Sequence, residues 1–462
     1  MKMLIRNLKT VLILFIVISL CLLAGLFFQQ RRSQRELSVA AGENKESLKS
    51  RYAKAGSILD RNGVVLARSE NGERIYSDDP EIANALLHIV GDYTHNIENT
   101  IESRYQNVLL GTDRDLATQF LLDIQGKGLS GDDVVLTVDA ELSKKAFSYL
   151  GDKKGAIVLL NYRSGEVLVS VSSPSTTPSS VINYEEIPDT SLFNRALSGS
   201  YAPGSTFKIL TTVAWLTSPR YDPSLQMYCE AQSTVDPYGA SESGDAHGQV
   251  DLPSAFARSC NVFFGQAGVS AGREHLLETA QSMGYGSAVS LDLLQVRTSR
   301  ISTPDIPSTV SWISIGQPVV DSELYMTPLQ MAMIAGGIGN GGSVCIPHII
   351  QYLRTPAEKA YDEIFVTEHA RIVSPELAAT LEDLMLQSTA YGTGTAAAIS
   401  GYTVASKTGT VQIEGQGNNA LTLAYITEDE MPYAVAVIVE EGGSGGGTAA
   451  PIAGKILSDA TK

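Results

Sequence analysis

Tyr201-Ala202-Pro203-Gly204-Ser205-Thr206-Phe207-Lys208-Ile209-Leu210 is the stretch from which the rest of this chain is read. A Pro-Gly turn runs into a segment whose apolar residues Phe207, Leu210, Val213 and Leu216 recur with helical spacing, which predicts a helix opening at Ser205. A serine there stands in the first turn, with a backbone N–H that has no partner inside the helix. Lys208 follows three residues later, and that spacing puts both side chains on one helical face, with the amine in reach of the hydroxyl. The pair reads as a nucleophile with its base. A hydroxyl attacks well only when a neighbour takes its proton, and a lysine does so only when burial or nearby positive charge lowers its pKa. The helix N-terminus also offers an N–H to an oxyanion on the attacked carbonyl. No other Ser-x-x-Lys occurs in the chain. Taken alone, so short a pattern also describes a capped core helix with a surface lysine.

Length and charge bound the problem. A chain of 462 residues has room for roughly two to four domains. Its net charge of −16 argues against a general nucleic-acid binder, and four cysteines are too few for a disulfide scaffold. Val11 to Phe28 is an almost purely apolar run of about 18 residues, near the lower limit for crossing a bilayer. No small-residue cleavage site follows it, because Phe27, Phe28, Gln29 and Gln30 come next, so the run reads as an uncleaved anchor. Leu20 before Cys21 does not fit a lipoprotein signal. Basic residues flank both ends (Lys2, Arg6, Lys9; Arg31, Arg32, Arg35), so charge does not orient the span.

Beyond a polar stalk from Ser33 to Arg51, Gly56 to Ala67 reads as two short strands around an Asp-Arg-Asn-Gly turn. Helical patterns dominate from Asp78 to Gly131. Val134 to Val138 is an expected strand, and Asp139 an expected cap for a helix through Leu150. The main boundary is placed near Gly151 to Gly155. From there Ala156 to Leu160 and Val167 to Val171 form an expected hairpin, helices start at Thr327-Pro328 and Ser374-Pro375, strands return at Thr403 to Ala405 and Tyr433 to Val439, and a last helix begins near Pro451. Strands at both ends with helices between them predict an α+β domain built on an antiparallel sheet.

Two further constellations belong with Ser205. Ser259-Cys260-Asn261 ends an apolar segment and supplies a second hydroxyl for proton relay and an amide for a substrate backbone group. As a tripeptide it equally describes a helix-terminal turn. Lys407-Thr408-Gly409-Thr410 lies on a strand flanked by Val404 and Val411. A cation and two hydroxyls there suit a carboxylate, and Gly409 would let a substrate backbone approach an edge strand closely. A β-turn with a surface lysine is the bland alternative.

Together, in the order Ser-x-x-Lys, Ser-x-Asn, Lys-Thr-Gly, the three motifs resemble the set found in penicillin-binding proteins and class A β-lactamases. The chain as a whole is similar to the class B penicillin-binding proteins, the monofunctional peptidoglycan transpeptidases. The likeness extends to the anchor, to Gly56–Ala67 as the start of a non-catalytic pedestal, and to Gly155-Ala156-Ile157-Val158. It also takes in Asn194-Arg195-Ala196-Leu197, His247-Gly248-Gln249-Val250, Ser314-Ile315-Gly316-Gln317, Met326-Thr327-Pro328-Leu329-Gln330 and Gly442 to Ile452. It covers most of the chain and is weakest from Glu81 to Gly131.

The resemblance implies a penicillin-binding, serine β-lactamase-like transpeptidase domain over 151–462. Before it come a cytoplasmic tail at 1–10, an anchor at 11–28 and an elongated pedestal at 29–150. It implies that Ser205 is acylated by the penultimate D-alanine of a stem peptide, with Lys208 as base and Ser259 as proton shuttle. Asn261 would hold the donor peptide. Lys407, Thr408 and Thr410 would hold its terminal carboxylate, and the N–H groups of Ser205 and Thr410 the oxyanion. β-Lactams would trap Ser205. No cofactor or metal is expected, and a membrane-embedded glycan polymerase is the implied partner. A β-lactam sensor, a class D-like β-lactamase and a D,D-carboxypeptidase are the alternatives.

The sequence also departs from the family. Where relatives carry an aromatic Trp-Phe segment after the Lys-Thr-Gly strand, this chain reads Asn418-Asn419-Ala420-Leu421-Thr422-Leu423-Ala424-Tyr425. Cys229 and Cys260 are spaced either to pair across about 30 residues or to remain two buried thiols. Gly442 to Gly447 lacks the ending of a phosphate loop and reads as a turn before the last helix. His247 has no clustered metal-ligand partners in the sequence and reads as structural.

Overall fold

The computed structural model describes residues 45–462 except 115–118, 120–123, 125–129, 184–185, 231–237, 243–245, 363–367 and 414, together with isolated positions between 12 and 25. The Val11 to Phe28 run therefore lies mostly outside the described residues. Among those described, no helix is long and apolar enough to cross a membrane. The chain divides into two units, Met1–Ser50 and Arg51–Lys462, and the second holds both large sheets.

The sheet that positions the site has five strands, each antiparallel to its neighbours, in the order Val404–Val411, Asn419–Ile426, Tyr433–Val439, Gly155–Asn161, Val167–Ser173. The expected α+β class with an antiparallel sheet is thus present. Every residue of Asn419–Ile426 and of Val167–Ser173 is buried, so side chains on both faces are covered. On one face Ala140–Leu150 and Ala450–Ala460 pack Leu150, Ile456 and Leu457 against Ile157, Val171 and Val437. Burying each of these aliphatic side chains is worth about 1.5–3 kcal/mol.

On the other face lies Pro328–Gly339, started by a capping box in which Thr327 and Gln330 satisfy each other's backbone N–H groups. This helix approaches closely because it carries glycines where it touches the sheet. A Cβ on Gly336 would stand 2.6 Å from Tyr162 Cβ, and one on Gly339 would stand 2.7 Å from the Tyr425 ring.

The second sheet holds the N-terminal hairpin. Ile58–Leu59 pairs antiparallel with Val65–Glu70 and parallel with Asp133–Leu136. Ile350–Arg354 and Ala360–Tyr361 complete that sheet from far along the chain. Asp133 and Arg354, 221 residues apart in sequence, are joined at 2.8 Å. On the sheet's other edge strand, Glu73–Tyr76, which pairs with Val65–Glu70, Arg74 forms an ion pair with Glu102 at 2.8 Å with both side chains wholly buried.

Candidate active site

Ser205 is presented by a turn that only glycines permit. Gly204 has φ +54 and Gly316 φ +84, and Gly204 N donates to Gly316 O at 3.0 Å. A Cβ on Gly316 would stand 1.8 Å from Gly204 O, so the 314–317 loop nests directly under the serine. The expected helix opens as a 3₁₀ turn, Gly204–Phe207, and continues as Lys208–Leu216. Behind it Tyr201 exchanges both backbone hydrogen bonds with Met326 and donates its hydroxyl to Glu440 Oε1 at 2.7 Å. Buried Arg195 donates to the same oxygen at 2.9 Å. The segments that sequence likeness marked at 194–197 and 326–330 are thus braces for the serine motif.

Lys208 is fully buried. Its Nζ donates to Ser259 O at 2.6 Å, to Asn261 Oδ1 at 2.6 Å and to Ser259 Oγ at 3.2 Å. Among the described residues no hydrogen bond joins it to Ser205 Oγ, so the direct contact expected from helical spacing gives way to contacts with the second motif. Burial pushes the Lys208 amine down to about 8, opposed by the negative charge of Glu242. Lys407, also fully buried, donates to Ser259 Oγ at 2.9 Å and to Thr408 O at 3.0 Å. Burial and then the charge of Lys208 hold its pKa well below the ordinary lysine value.

Ser-Cys-Asn is a kink between two helices. Leu252–Arg258 ends at Ser259, whose backbone is left-handed (φ 60, ψ 41), and Asn261–Ala271 begins two residues on. A non-glycine residue in that conformation is held at a cost of about 1–2 kcal/mol. The kink turns Ser259 Oγ and Asn261 Oδ1 toward the same amine. The Asn261 amide is fixed at its other end, because Nδ2 donates to Ser241 O at 2.9 Å. The backbone N–H of Asn261 donates to Glu242 Oε2 at 2.9 Å.

Lys407 to Thr410 lie on the edge strand of the five-stranded sheet, which leaves its outer row of backbone groups open. Gln317 Nε2 donates to Thr410 O at 3.3 Å from that outer side. In an antiparallel strand a residue's N–H and C=O face the same edge, so the Thr410 N–H also points outward, alongside Ser205. Gly409 has a role beyond the one expected. Its missing Cβ makes room for Pro203 O, which a Cβ would approach to 2.8 Å, so the chain's own serine turn occupies that space. The expected turn before the last helix ends in a π-helical segment, Gly445–Ala449, which supports the strand, with Gly445 N donating to Thr410 Oγ1 at 3.2 Å. Thr393 and Thr408 share a hydroxyl hydrogen bond of 2.6 Å.

Ser205, Ser259, Asn261, Thr408 and Thr410 therefore line one cleft of about 580 Å³. Glu242, Arg258, Trp312 and Tyr391 join them there without any signal in the sequence, since none belongs to a local motif. One expectation needs correction, and one open alternative is decided. His247 is not isolated from metal-ligand residues: its ring and the side chains of Cys229, Glu242 and Cys260 offer ligand atoms that all lie within 4.8 Å of one another. Cys229 and Cys260 are buried thiols and are not joined to each other.

A buried lysine beside a helix-opening serine, a second hydroxyl held by two amines and an edge strand facing them define a serine acyl-transfer site. The comparisons with known proteins agree. The penicillin binding protein transpeptidase domain family matches residues 155–458. Peptidoglycan D,D-transpeptidase PbpA of Mycolicibacterium smegmatis is 30% identical over 450 residues, covering 88% of this chain and 89% of that protein. Peptidoglycan D,D-transpeptidase MrdA of Acinetobacter baumannii is 27% identical over 76% of this chain and 58% of its own length. Among solved structures, penicillin-binding protein A of M. tuberculosis as a ceftriaxone acyl-enzyme complex superposes with a TM-score of 0.78 at 28% identity, covering 89% of this chain and 99% of that one. The chain belongs to the penicillin-binding protein transpeptidase family, in its class B.

Proposed function

We propose that this chain is a peptidoglycan D,D-transpeptidase that cross-links stem peptides through an acyl-enzyme on Ser205. The observation that carries this reading is the position of Ser259 Oγ, 3.2 Å from the Lys208 amine and 2.9 Å from the Lys407 amine, in the cleft that Ser205 lines.

In the reaction Ser205 Oγ bonds to the carbonyl carbon of the penultimate D-alanine while neutral Lys208 takes the hydroxyl proton. With its amine pushed down to about 8, roughly a tenth of the Lys208 population is neutral at pH 7. The oxyanion lies between the N–H groups of Ser205 and Thr410, whose fixed dipoles need no reorganisation. As the tetrahedral species collapses, the C–N bond breaks. The proton then passes from Lys208 through Ser259 to the departing D-alanine amine. Lys407, Thr408 and Thr410 hold the substrate's terminal carboxylate, and Asn261 orients the donor peptide along the edge strand. An amino group of a second stem peptide attacks the ester, and Ser205 regains its proton. β-Lactams enter by the same first step and stay on Ser205.

The reading extends to location. Its substrate is extracytoplasmic, so Val11 to Phe28 is the single membrane anchor, Met1 to Thr10 lie in the cytoplasm and residues 29–150 serve as a pedestal. A membrane-embedded glycan polymerase supplies the strands to be cross-linked. Protease protection of the full chain in spheroplasts tests the orientation.

Labelling with a fluorescent penicillin, with mass spectrometry of products from a stem-peptide donor and an acceptor amine, tests the activity. Lasting label, loss of label in Ser205→Ala and a cross-linked product are the expected results. Rapid release of label would mark a β-lactamase, products of hydrolysis alone a carboxypeptidase, and absence of label would end the proposal.

A further inference from the structure

We propose that Arg258 binds a second carboxylate on the donor stem peptide, so that the cleft selects donors whose diamino acid carries a free acid group. Arg258 is the last residue of the helix Leu252–Arg258 and lines the same cleft as Ser205. It is exposed, and its Nη1 donates to His247 O at 2.6 Å. That bond fixes one edge of the guanidinium and leaves most of its N–H donors to the cleft. Among the described residues no carboxylate pairs with it.

A basic residue in a helix's last turn also suits the helix dipole, which favours stability and says nothing of substrate choice. The Arg258 guanidinium, however, bonds to the segment entering the strand Gly248–Val250 and not to its own last carbonyls. Nor does the rest of the site leave a cation for a second acid group. Lys208 and Lys407 are wholly buried and donate to Ser259, Asn261 and Thr408. Among the described residues that line the cleft, Arg258 is the one Lys or Arg.

The two acid positions are held at a fixed spacing. Thr408, on the strand that takes the terminal carboxylate, shares its hydroxyl hydrogen bond with Thr393 at 2.6 Å, and Thr393 N donates to Ala257 O, next to Arg258, at 3.0 Å. Gly392 lies against the same carbonyl, where a Cβ would stand 2.1 Å away. One closely packed path thus joins the edge strand to the helix end that carries Arg258. A diamino acid with a carboxylate on its side chain meets the guanidinium with two parallel hydrogen bonds, whereas a lysine there brings an amine and no acid group. Because Arg258 is exposed, water and salt weaken the pair, and discrimination of about fivefold is expected. Recognition of this kind rests on the proposed acyl transfer, since it takes a stem-peptide donor to bring both acid groups into the cleft.

The test uses the full-length chain in detergent with three synthetic donors: one with diaminopimelate in the third place, one with lysine there, and the lysine donor with its glutamate α-carboxyl amidated. Release of D-alanine should be about fivefold higher in kcat/KM for the diaminopimelate donor than for the lysine donor, and the gap should narrow at high salt. A gap between the lysine donor and its amidated form instead would place the same recognition on the glutamate. Arg258→Gln should close whichever gap the wild type shows, and Arg258→Lys, which keeps the charge without the fork, should retain part of it. Equal turnover of all three donors by the wild type overturns the proposal. So does an equal loss in Arg258→Gln for every donor and for penicillin, which brings the counterpart of the terminal carboxylate alone, because that pattern marks Arg258 as support for the Ser-Cys-Asn turn. If the wild type takes penicillin label, equal turnover counts against this inference alone; if it takes no label and releases no D-alanine, the acyl-transfer reading fails with it.

Discussion

Lys407 Nζ lies 2.9 Å from Ser259 Oγ, and this contact joins the edge strand to the kink between two helices. Both amines that face Ser259 are fully buried, and the hydroxyl is the acceptor they share. Ser259→Ala removes that acceptor and, in the proposed mechanism, the proton path to the leaving group. Loss of a positioned proton carrier costs about 100-fold or more, so penicillin acylation of the variant should fall by at least that factor. Circular dichroism should stay near wild type, because Lys208 keeps its contacts to Ser259 O and Asn261 Oδ1. A variant acylated at the wild-type rate would remove Ser259 from the mechanism.

How much of this was legible in the sequence depends on how local each feature is. Motifs within a few residues of one another were readable, as were capped helices such as the one opening at Thr327 and strands such as Tyr433–Val439. Contacts that close over long distances were not. Helical spacing predicted Lys208 against Ser205, but the fold brings Ser259 and Asn261 to the amine across more than 50 residues. The pairing of Ile350–Arg354 with Asp133–Leu136 has no local signature, because a strand's period says which face it buries and not which strand it joins. His247 looked isolated for the same reason. Its neighbours Cys229, Glu242 and Cys260 are gathered by a hairpin and a helix kink that composition does not announce.

Gly316→Ala should be severe despite adding one methyl group. The residue sits at φ +84, and the new Cβ would stand 1.8 Å from Gly204 O, in backbone that cannot swing away. Overpacking with backbone strain predicts a loss of about 3 kcal/mol in stability. The fraction that folds should acylate at least tenfold more slowly, because the serine turn is displaced. Thermal denaturation and penicillin labelling of the same preparation check both; an unchanged midpoint would mean the loop yields without cost.

Glu440 holds the base of the serine motif by accepting from both Arg195 and Tyr201. Its side chain is 25% exposed while that of Arg195 is 4% exposed, so truncation leaves a nearly buried cation without its carboxylate. Glu440→Ala should therefore cost about 2 kcal/mol, less than for a fully enclosed pair because water reaches one partner. Glu440→Gln keeps an acceptor and should cost clearly less. Equal losses in the two variants would show that the lost charge alone carries the effect and that the retained acceptor contributes nothing.

Arg74 and Glu102 test stability apart from chemistry. Both side chains are wholly buried in the N-terminal part, joined at 2.8 Å, and Arg74 Nη1 also donates to Gly56 O at 2.7 Å. Removing one partner of such a pair costs about 3–5 kcal/mol. Glu102→Ala should lower the melting temperature strongly, yet the folded fraction should label with penicillin at the wild-type rate. Slow labelling of fully folded protein would mean that the N-terminal part acts on the site itself.

The sharpest test of the base is pH. Burial pushes the Lys208 amine down to about 8, with the charge of Glu242 opposing the shift. Only the neutral amine can accept the Ser205 proton, so its active fraction grows with rising pH until the pKa is passed. The acylation rate with penicillin should thus rise about tenfold per pH unit below about 8 and level off above it. An unperturbed lysine would keep the rate climbing toward about 10.4. Lys208→Arg retains positive charge at every accessible pH, so it should be inactive across the range with no high-pH recovery. A wild-type profile that is flat between pH 6 and pH 9, roughly two units below and one above the expected inflection, would show that Lys208 is not the titrating base, because a base of that pKa must leave a step of roughly a hundredfold there.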